Sequence, residues 1–290
     1  MSAVDPVVAR KTWRTLEPLH GLIYFAPEAV ERYAALGIEG RAGYFASRAA
    51  AMGPVGAEVV IATFFNFNPD LVRAAIPGAW QSTTTGMLLG ARLDAADAAL
   101  RRALGAAVAA PEMARAAALA RTAADAACDS FEGRPLFAAH ARLDWPEEPH
   151  LVLWHAQTLL REYRGDGHVA ALTVAGLTGI EALVVHAATG EVSAEVLKAT
   201  RAWSDEQWAA GVDAVRSRGW LADGDELLLS PSGAAHRQEV ENTTDRLAVH
   251  AYSALGEDAC SSLRRLARPF SQAVVASGTF GFAPSEKGGS

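Results

Sequence analysis

The densest group of side chains able to do chemistry in this 290-residue sequence is His155, Arg161, Arg164, Asp166 and His168. Imidazoles can move protons and guanidinium groups can hold an anion. Metal ligation fits poorly, because the sequence has no H-x-x-x-H or H-E-x-x-H spacing and no cysteine partner nearby. The run Arg164-Gly165-Asp166-Gly167-His168 also reads as a helix exit, with Gly165 left-handed and Asp166 capping a new helix from His168. The alternative is the polar wall of a ligand pocket. A second group is aromatic: Tyr24, Phe25, Tyr33, Tyr44, Phe45, Phe64, Phe65 and Phe67, interleaved with Arg41, Arg48 and Asn66. Aromatic density of this kind is ordinarily core. With a few guanidinium and amide groups among the rings, it would also suit an apolar pocket for an aromatic or anionic ligand. The candidate ligand residues are therefore Tyr24, Tyr33, Arg41, Tyr44, Arg48, Asn66, His155, Arg164 and His168. His186, in an apolar helix, reads as a core histidine. No nucleophile elbow, phosphate loop or paired-carboxylate scaffold is present. An enzyme would have to use His155 or His168 as its acid or base.

The stretch from Gly176 to Arg246 carries the clearest local order. An apolar run from Ile180 to Ala187 stops at Thr189-Gly190, and Ser193 then caps a helix bearing Val196, Leu197 and Thr200. Arg201-Ala202-Trp203 is a turn. Ser204 caps the next helix, whose first turn is acidic, and Trp208, Gly211, Val212 and Val215 recur at helical spacing up to Gly219. Leu221 starts a strand, Ala222 to Asp225 turns, Leu227 to Leu229 returns, and Ser230-Pro231 opens another helix. This order is that of a winged helix-turn-helix.

The phrase V-S-x-E-V-L followed by S-x(7)-V-x-x-V-x-x-R-G-W-L and L-L-L-S-P-S-G resembles the MarR-type regulators. The resemblance implies a reading helix from Ser204 to Arg218 and a wing from Leu221 to Leu229. DNA contacts would then fall to Arg201, Ser204, Gln207, Arg216 and Arg218. The charges depart from that pattern: between Thr189 and Arg246 there are six Lys/Arg against eleven Asp/Glu. Phosphate neutralisation supplies most non-specific DNA affinity, so the acidic stretch also reads as a packing scaffold that binds no DNA. Over residues 15 to 280 the motifs IYFAPEAVERY, GYFASRAA, GRPLFAAH and SDEQWAAGVDAVRSRG resemble actinobacterial proteins described as MarR-like helix-turn-helix fused proteins. That resemblance implies a helix-rich regulator and supplies no reaction.

Elsewhere the chain reads as helices: around Val8 to Leu16, Pro27 to Leu36, Arg41 to Met52, Ala57 to Phe67, a short one ended by Pro77-Gly78, Arg92 to Ala107, Pro111 to Ala127, Leu151 to Tyr163 and Asp258 to Ser277. The two halves share a weak pattern. Ala26, Tyr33 and Gly37 match Ala156, Tyr163 and Gly167 at constant spacing, Met52 to Val55 matches Thr189 to Val192, and Trp80 matches Trp208. Chance is the alternative to a duplication.

The fold expected is mainly α, with a MarR-like winged helix in the C-terminal half and a helical N-terminal half that reads as a degenerate copy, a tandem pseudo-dimer. The domains expected are 1–146 and 147–283, divided at Pro146-Glu147-Glu148-Pro149, with a disordered tail at 284–290. A net charge of −7 and two cysteines without a motif argue for a cytoplasmic protein that neither coats nucleic acid nor binds anionic membranes. Candidate partners are DNA and a small aromatic or anionic ligand, without cofactor, metal or membrane. The assembly would be a monomeric pseudo-dimer or a homodimer.

Overall fold

The computed structural model describes residues 4–281, so the tail expected at 284–290 lies outside the described residues. The described chain is mainly helical. Its first half comprises α1 (Pro6–Gly21), α2 (Pro27–Ala34), α3 (Arg41–Ala49), α4 (Ala57–Phe64), α5 (Pro69–Ser82), α6 (Thr85–Leu104) and α7 (Pro111–Ala127). Then come α8 (Pro135–His140), α9 (Pro149–Val174), α10 (Gly179–Ala187), α11 (Ala194–Arg201), α12 (Asp205–Ser217), α13 (Pro231–Ser253) and α14 (Gly256–Ala276).

Helix α9 is the central rod. From His150 to Leu160 every side chain is buried, as expected of a helix surrounded by others rather than lying on a surface. The main core gathers Leu16 and Leu19 of α1, Leu88 of α6, Met113 of α7, Leu159 of α9 and Leu263 of α14, so both sides of the Pro146–Pro149 joint contribute to it. Two smaller cores flank it. One holds Phe45, Phe64, Val72 and Ile76 from α3 to α5. The other holds Leu183, Leu197, Trp208 and Val215 from α10 to α12, with Trp220 and Leu221. No single helix among the described residues is long and apolar enough to cross a membrane.

Each flanking core is built on three consecutive helices, and the two triplets have similar helix lengths. Helices α3 and α10 each have nine residues, α4 and α11 each eight, and α5 and α12 fourteen and thirteen. The residue directly after α4, Phe65 (φ 61°), and the residue directly after α11, Ala202 (φ 59°), are the non-glycine residues with positive φ among those described, but ψ separates them: −52° at Phe65, a tight turn in which Asn66 N donates to Phe64 O (2.7 Å), and 38° at Ala202, the left-handed helical region. A side chain costs about 1–2 kcal/mol there, so each turn is held by its surroundings. Asn68 and Ser204 then cap the third helix of each triplet with their side chains. Of the residues matched between Met52 to Val55 and Thr189 to Val192, Gly53 and Gly190 both take positive φ ahead of the second helix. The other matches do not hold. Gly37 is a left-handed turn while Gly167 lies inside α9, and Trp80 ends α5 while Trp208 begins α12.

Two further expectations are corrected. Residues 164–168 are not an exit loop, because α9 runs unbroken to Val174. Its glycines serve packing: a Cβ on Gly167 would lie 3.0 Å from Arg134 Nη1 and 3.3 Å from Leu247 Cβ. The strands expected at Leu221 and Leu227–Leu229 reduce to one antiparallel bridge, Leu221 to Leu229, closing an exposed acidic loop. Helix α5 continues through Pro77 to Ser82.

The turns of the two triplets pack on one another. Asn68 N donates to Arg201 O (3.0 Å), and Asn68 Nδ2 donates to Ala202 O (2.9 Å) and Gln207 Oε1 (3.0 Å). Trp203 Nε1 donates to Asn66 O (3.0 Å). The seam is closed at Gly179, where a Cβ would sit 2.1 Å from Phe65 O. Gly179→Ala should therefore cost about 3 kcal/mol, the upper end of overpacking. Gly165→Ala, whose Cβ would meet only Glu162 Oε2 at 3.6 Å, should gain about 0.5–1 kcal/mol. Urea denaturation of the two variants checks both signs.

Candidate functional site

A cavity of about 630 Å³ lies between the triplets. Helix α9 forms its floor through Arg161, Glu162, Gly165, Asp166, Val169 and Leu172, residues three and four apart on one face. Helix α1 lends Arg10, Trp13 and Arg14, and α13 lends Arg237, Glu241 and Thr244. The first triplet adds Arg48, Phe64, Phe65 and Asn66, and the second adds Leu183, Val185 and His186.

The floor is polar and its charges are paired. Arg48 Nη2 meets Glu162 Oε2 at 3.0 Å, and Arg161 bridges Glu162 Oε1 (3.0 Å) and Glu17 Oε1 (2.9 Å). Burial would raise the Glu162 carboxyl, but Arg48 and Arg161 outweigh it and hold the group at about 2. At the other end Arg164 Nη1 meets Asp245 Oδ1 at 2.8 Å, Arg10 Nε reaches Asp245 Oδ2 at 3.4 Å, and Arg237 pairs with Glu241. His168 Nδ1 shares a hydrogen bond with Thr244 Oγ1 (2.9 Å), and burial pulls its imidazole down to about 4, so it is neutral at pH 7. Asp166 does not cap α9. Its Oδ2 accepts from Phe137 N (2.9 Å) at the start of α8, and burial pushes it up to about 7.

Six guanidinium groups thus line the cavity against four carboxyl groups, one of which keeps its proton to near neutrality. Glu17 and Asp245 pair with lining arginines from outside the lining, which leaves Arg14 as the lining guanidinium with no ion pair among the described residues; the apolar wall comes from Phe64, Leu136, Val169 and Leu172. Three buried atoms of lining residues, Trp13 Nε1, Arg48 Nε and Asn66 Oδ1, have neither a hydrogen-bond nor an ion-pair partner among the described residues. Buried polar atoms are normally satisfied.

Of the ligand residues expected from sequence, Arg48, Asn66, Arg164 and His168 come together here. Tyr24, Tyr33 and Tyr44 instead line a separate depression of about 70 Å³. There Tyr24 OH is bonded to His20 Nε2 (2.7 Å) and Tyr44 OH to Arg48 Nη1 (2.8 Å). Arg41 sits on the seam and donates to Ala199 O (2.6 Å) and Thr200 O (3.2 Å) at the carbonyl end of α11. His155 packs edge-on to Trp145 at 4.8 Å, away from the cavity. The sequence reading missed Arg10, Trp13, Arg14, Arg237 and Glu241, and took His186, a half-buried wall residue, for core. The spacing of Arg10, Trp13 and Arg14 on one helical face was the available signal.

The residues expected to touch DNA are mostly engaged within the protein. Arg201 lies over the Phe67 ring at 5.1 Å, and Ser204 and Gln207 form a reciprocal capping box. Arg218 donates to Gly176 O (2.8 Å) and Glu181 Oε1 (3.2 Å). Arg216 is exposed beside Asp213 and the acidic loop. The outward face of α12 presents Asp205, Glu206, Ala209 and Asp213. Paired reading helices enter grooves about 34 Å apart, whereas here the starts of α5 and α12 are joined by the Asn68–Gln207 bond.

The Asp166 carboxyl gives a pH test. Its pKa in the folded chain lies above the ordinary 3.8. Folded protein therefore holds the proton that unfolded chain releases, and the contribution to stability, full below about pH 4, is lost as pH rises through about 7. Neutral buried histidines, His140 at about 3 and His155 and His168 at about 4, act in the opposite sense, so the total rises over part of this window. The stability of the wild type relative to Asp166→Asn should fall steadily from pH 4 to 7, as read by denaturation at several pH values. A pH-independent difference would show that Asp166 titrates normally.

No curated protein and no solved structure matches the chain. A family model described as a helix-turn-helix family matches residues 9–281, almost the full length, which supports a DNA-binding regulator in general terms. The chain belongs to this helix-turn-helix family.

Proposed function

We propose that the protein is a ligand-responsive transcription regulator built from two helix-turn-helix units in one chain. The second unit, α10 to α12 with the loop closed by Leu221 and Leu229, is the MarR-like winged helix, and the loop is its wing. The first, α3 to α5, is a copy without the wing, since only Thr83 and Thr84 separate α5 from α6. The ligand is a small organic anion with an apolar or aromatic body. The observation that carries this reading is the arginine-lined cavity walled by both units. Phe65 and Asn66 of that wall belong to the turn bonded to Trp203. An occupant therefore touches the seam that sets one unit against the other, and its differential affinity for two seam arrangements shifts their populations.

The acidic outer face of α12 favours a second reading, a ligand-binding module that has left DNA behind. Either way the cavity is the site. A panel of small aromatic and aliphatic acids should include one that stabilises the protein by about 2.7 kcal/mol at a hundredfold excess over Kd, on the order of 4 °C in Tm. Gly165→Leu projects a side chain into the cavity from its floor and should abolish that shift. An unchanged shift in Gly165→Leu would place the ligand elsewhere, and no shift from any acid would remove the anion reading.

A further inference from the structure

We infer that the protein holds duplex DNA by its phosphate backbone on the outer face of α1 and α14, and not through α12. These helices run side by side in the same direction. Asp5 N donates to Glu257 Oε1 (3.1 Å), Arg264 Nη1 to Thr12 Oγ1 (2.8 Å) and Ser271 Oγ to Thr15 O (2.6 Å), so the contacts advance together along both. This register sets Lys11 and Arg14 of α1 level with Arg264, Arg265 and Arg268 of α14. Lys11, Arg14, Arg265 and Arg268 are exposed, and none is ion-paired among the described residues.

Few carboxylates interrupt the band. Glu17 is turned to Arg161, and Glu257 and Asp258 lie in the first turn of α14, before the arginines. On helices packed about 8–10 Å apart the four exposed cations, backed by the half-buried Arg264, cover roughly three phosphates of one strand, at about 3.4 Å of duplex axis each. The contrast with the opposite candidate decides the choice. On α12 and its loop, Asp205, Glu206, Asp213, Asp223, Asp225 and Glu226 are all exposed, and a phosphate backbone is repelled there. In a chain of net charge −7 a five-cation band is a local exception, and family membership names the polyanion. This inference rests on the DNA-binding half of the proposed function and is independent of its ligand.

The test is fluorescence anisotropy of a labelled random-sequence duplex with the full chain at stepped salt. Wild type should bind weakly, with affinity falling steeply between about 50 and 200 mM salt. The triple variant Lys11→Gln/Arg265→Gln/Arg268→Gln spares the cavity-lining Arg14. It should bind at least about tenfold more weakly at low salt, with a log–log salt slope shallower by about 2–3. Arg216→Gln should match wild type. All three positions of the triple variant are exposed, and an unchanged melting temperature confirms its folding; if it melts early, Arg265→Gln/Arg268→Gln alone should show a loss of slope near 2. Loss of binding in Arg216→Gln, or an unaltered slope in the triple variant, overturns the inference. So does a wild type that ignores duplex at the lowest salt, whether it then binds phosphatidylserine vesicles or associates with its own acidic loop. Ligand-induced thermal shifts, measured separately, report on the cavity alone, so the two proposals fail by different readouts.

Discussion

The constraint on which the structure depends is the ionised carboxylate of Glu162, only 2 % exposed at the middle of the central helix. A charge at that depth persists only if partners come to it. Arg161 is supplied by α9 itself, and Arg48 crosses from α3 with both oxygens in reach, at 3.0 and 3.1 Å. Leaving either charge alone would cost about 3–5 kcal/mol. The pair fixes the first triplet against a helix that runs on, through one short turn, into the second. The cavity follows from it: the arginines that settle Glu162 stand along the same face of α9 that lacks a side chain at Gly165.

Charge is sorted over the molecule rather than spread. Acidic groups gather on α12 and its loop, cations gather on α1 and α14, and the cavity opens beside the cationic side, since Arg10 and Arg14 line it. A negative protein with a positive approach to its interior focuses anions toward one entrance. Helix α1 then belongs to both surfaces, with Arg10 turned to the cavity, Lys11 outward and the exposed Arg14 at the rim between them.

Much of this was legible in the sequence. The caps at Ser193, Ser204 and Ser230, the turn at Arg201-Ala202-Trp203 and the spacing of Trp208, Gly211 and Val215 located the second triplet. What misled was glycine. Gly165 and Gly167 look like a helix exit because local propensity disfavours them inside a helix. They remain there because Arg134 and Leu247, distant in sequence, crowd one of them and the cavity uses the absence of a side chain at the other. The likeness of the two triplets was faint in the sequence because it lies in helix lengths and in a positive φ after the second helix, at Phe65 in one and at Ala202 in the other. The aromatic cluster was divided between core, seam and cavity by long-range packing that spacing does not encode.

The loop between Leu221 and Leu229 has no counterpart after α5. Two identical subunits related by a twofold axis offer paired, equivalent pockets and meet palindromic targets on equal terms. A chain whose units differ by one loop has given up that equivalence. On the proposed reading its single cavity takes one ligand per chain, so saturation of a single chain would follow a simple hyperbola, with none of the steepness that several linked sites create. Any nucleic acid it meets is approached with a fixed polarity, and inverted symmetry in a target would bring it no advantage.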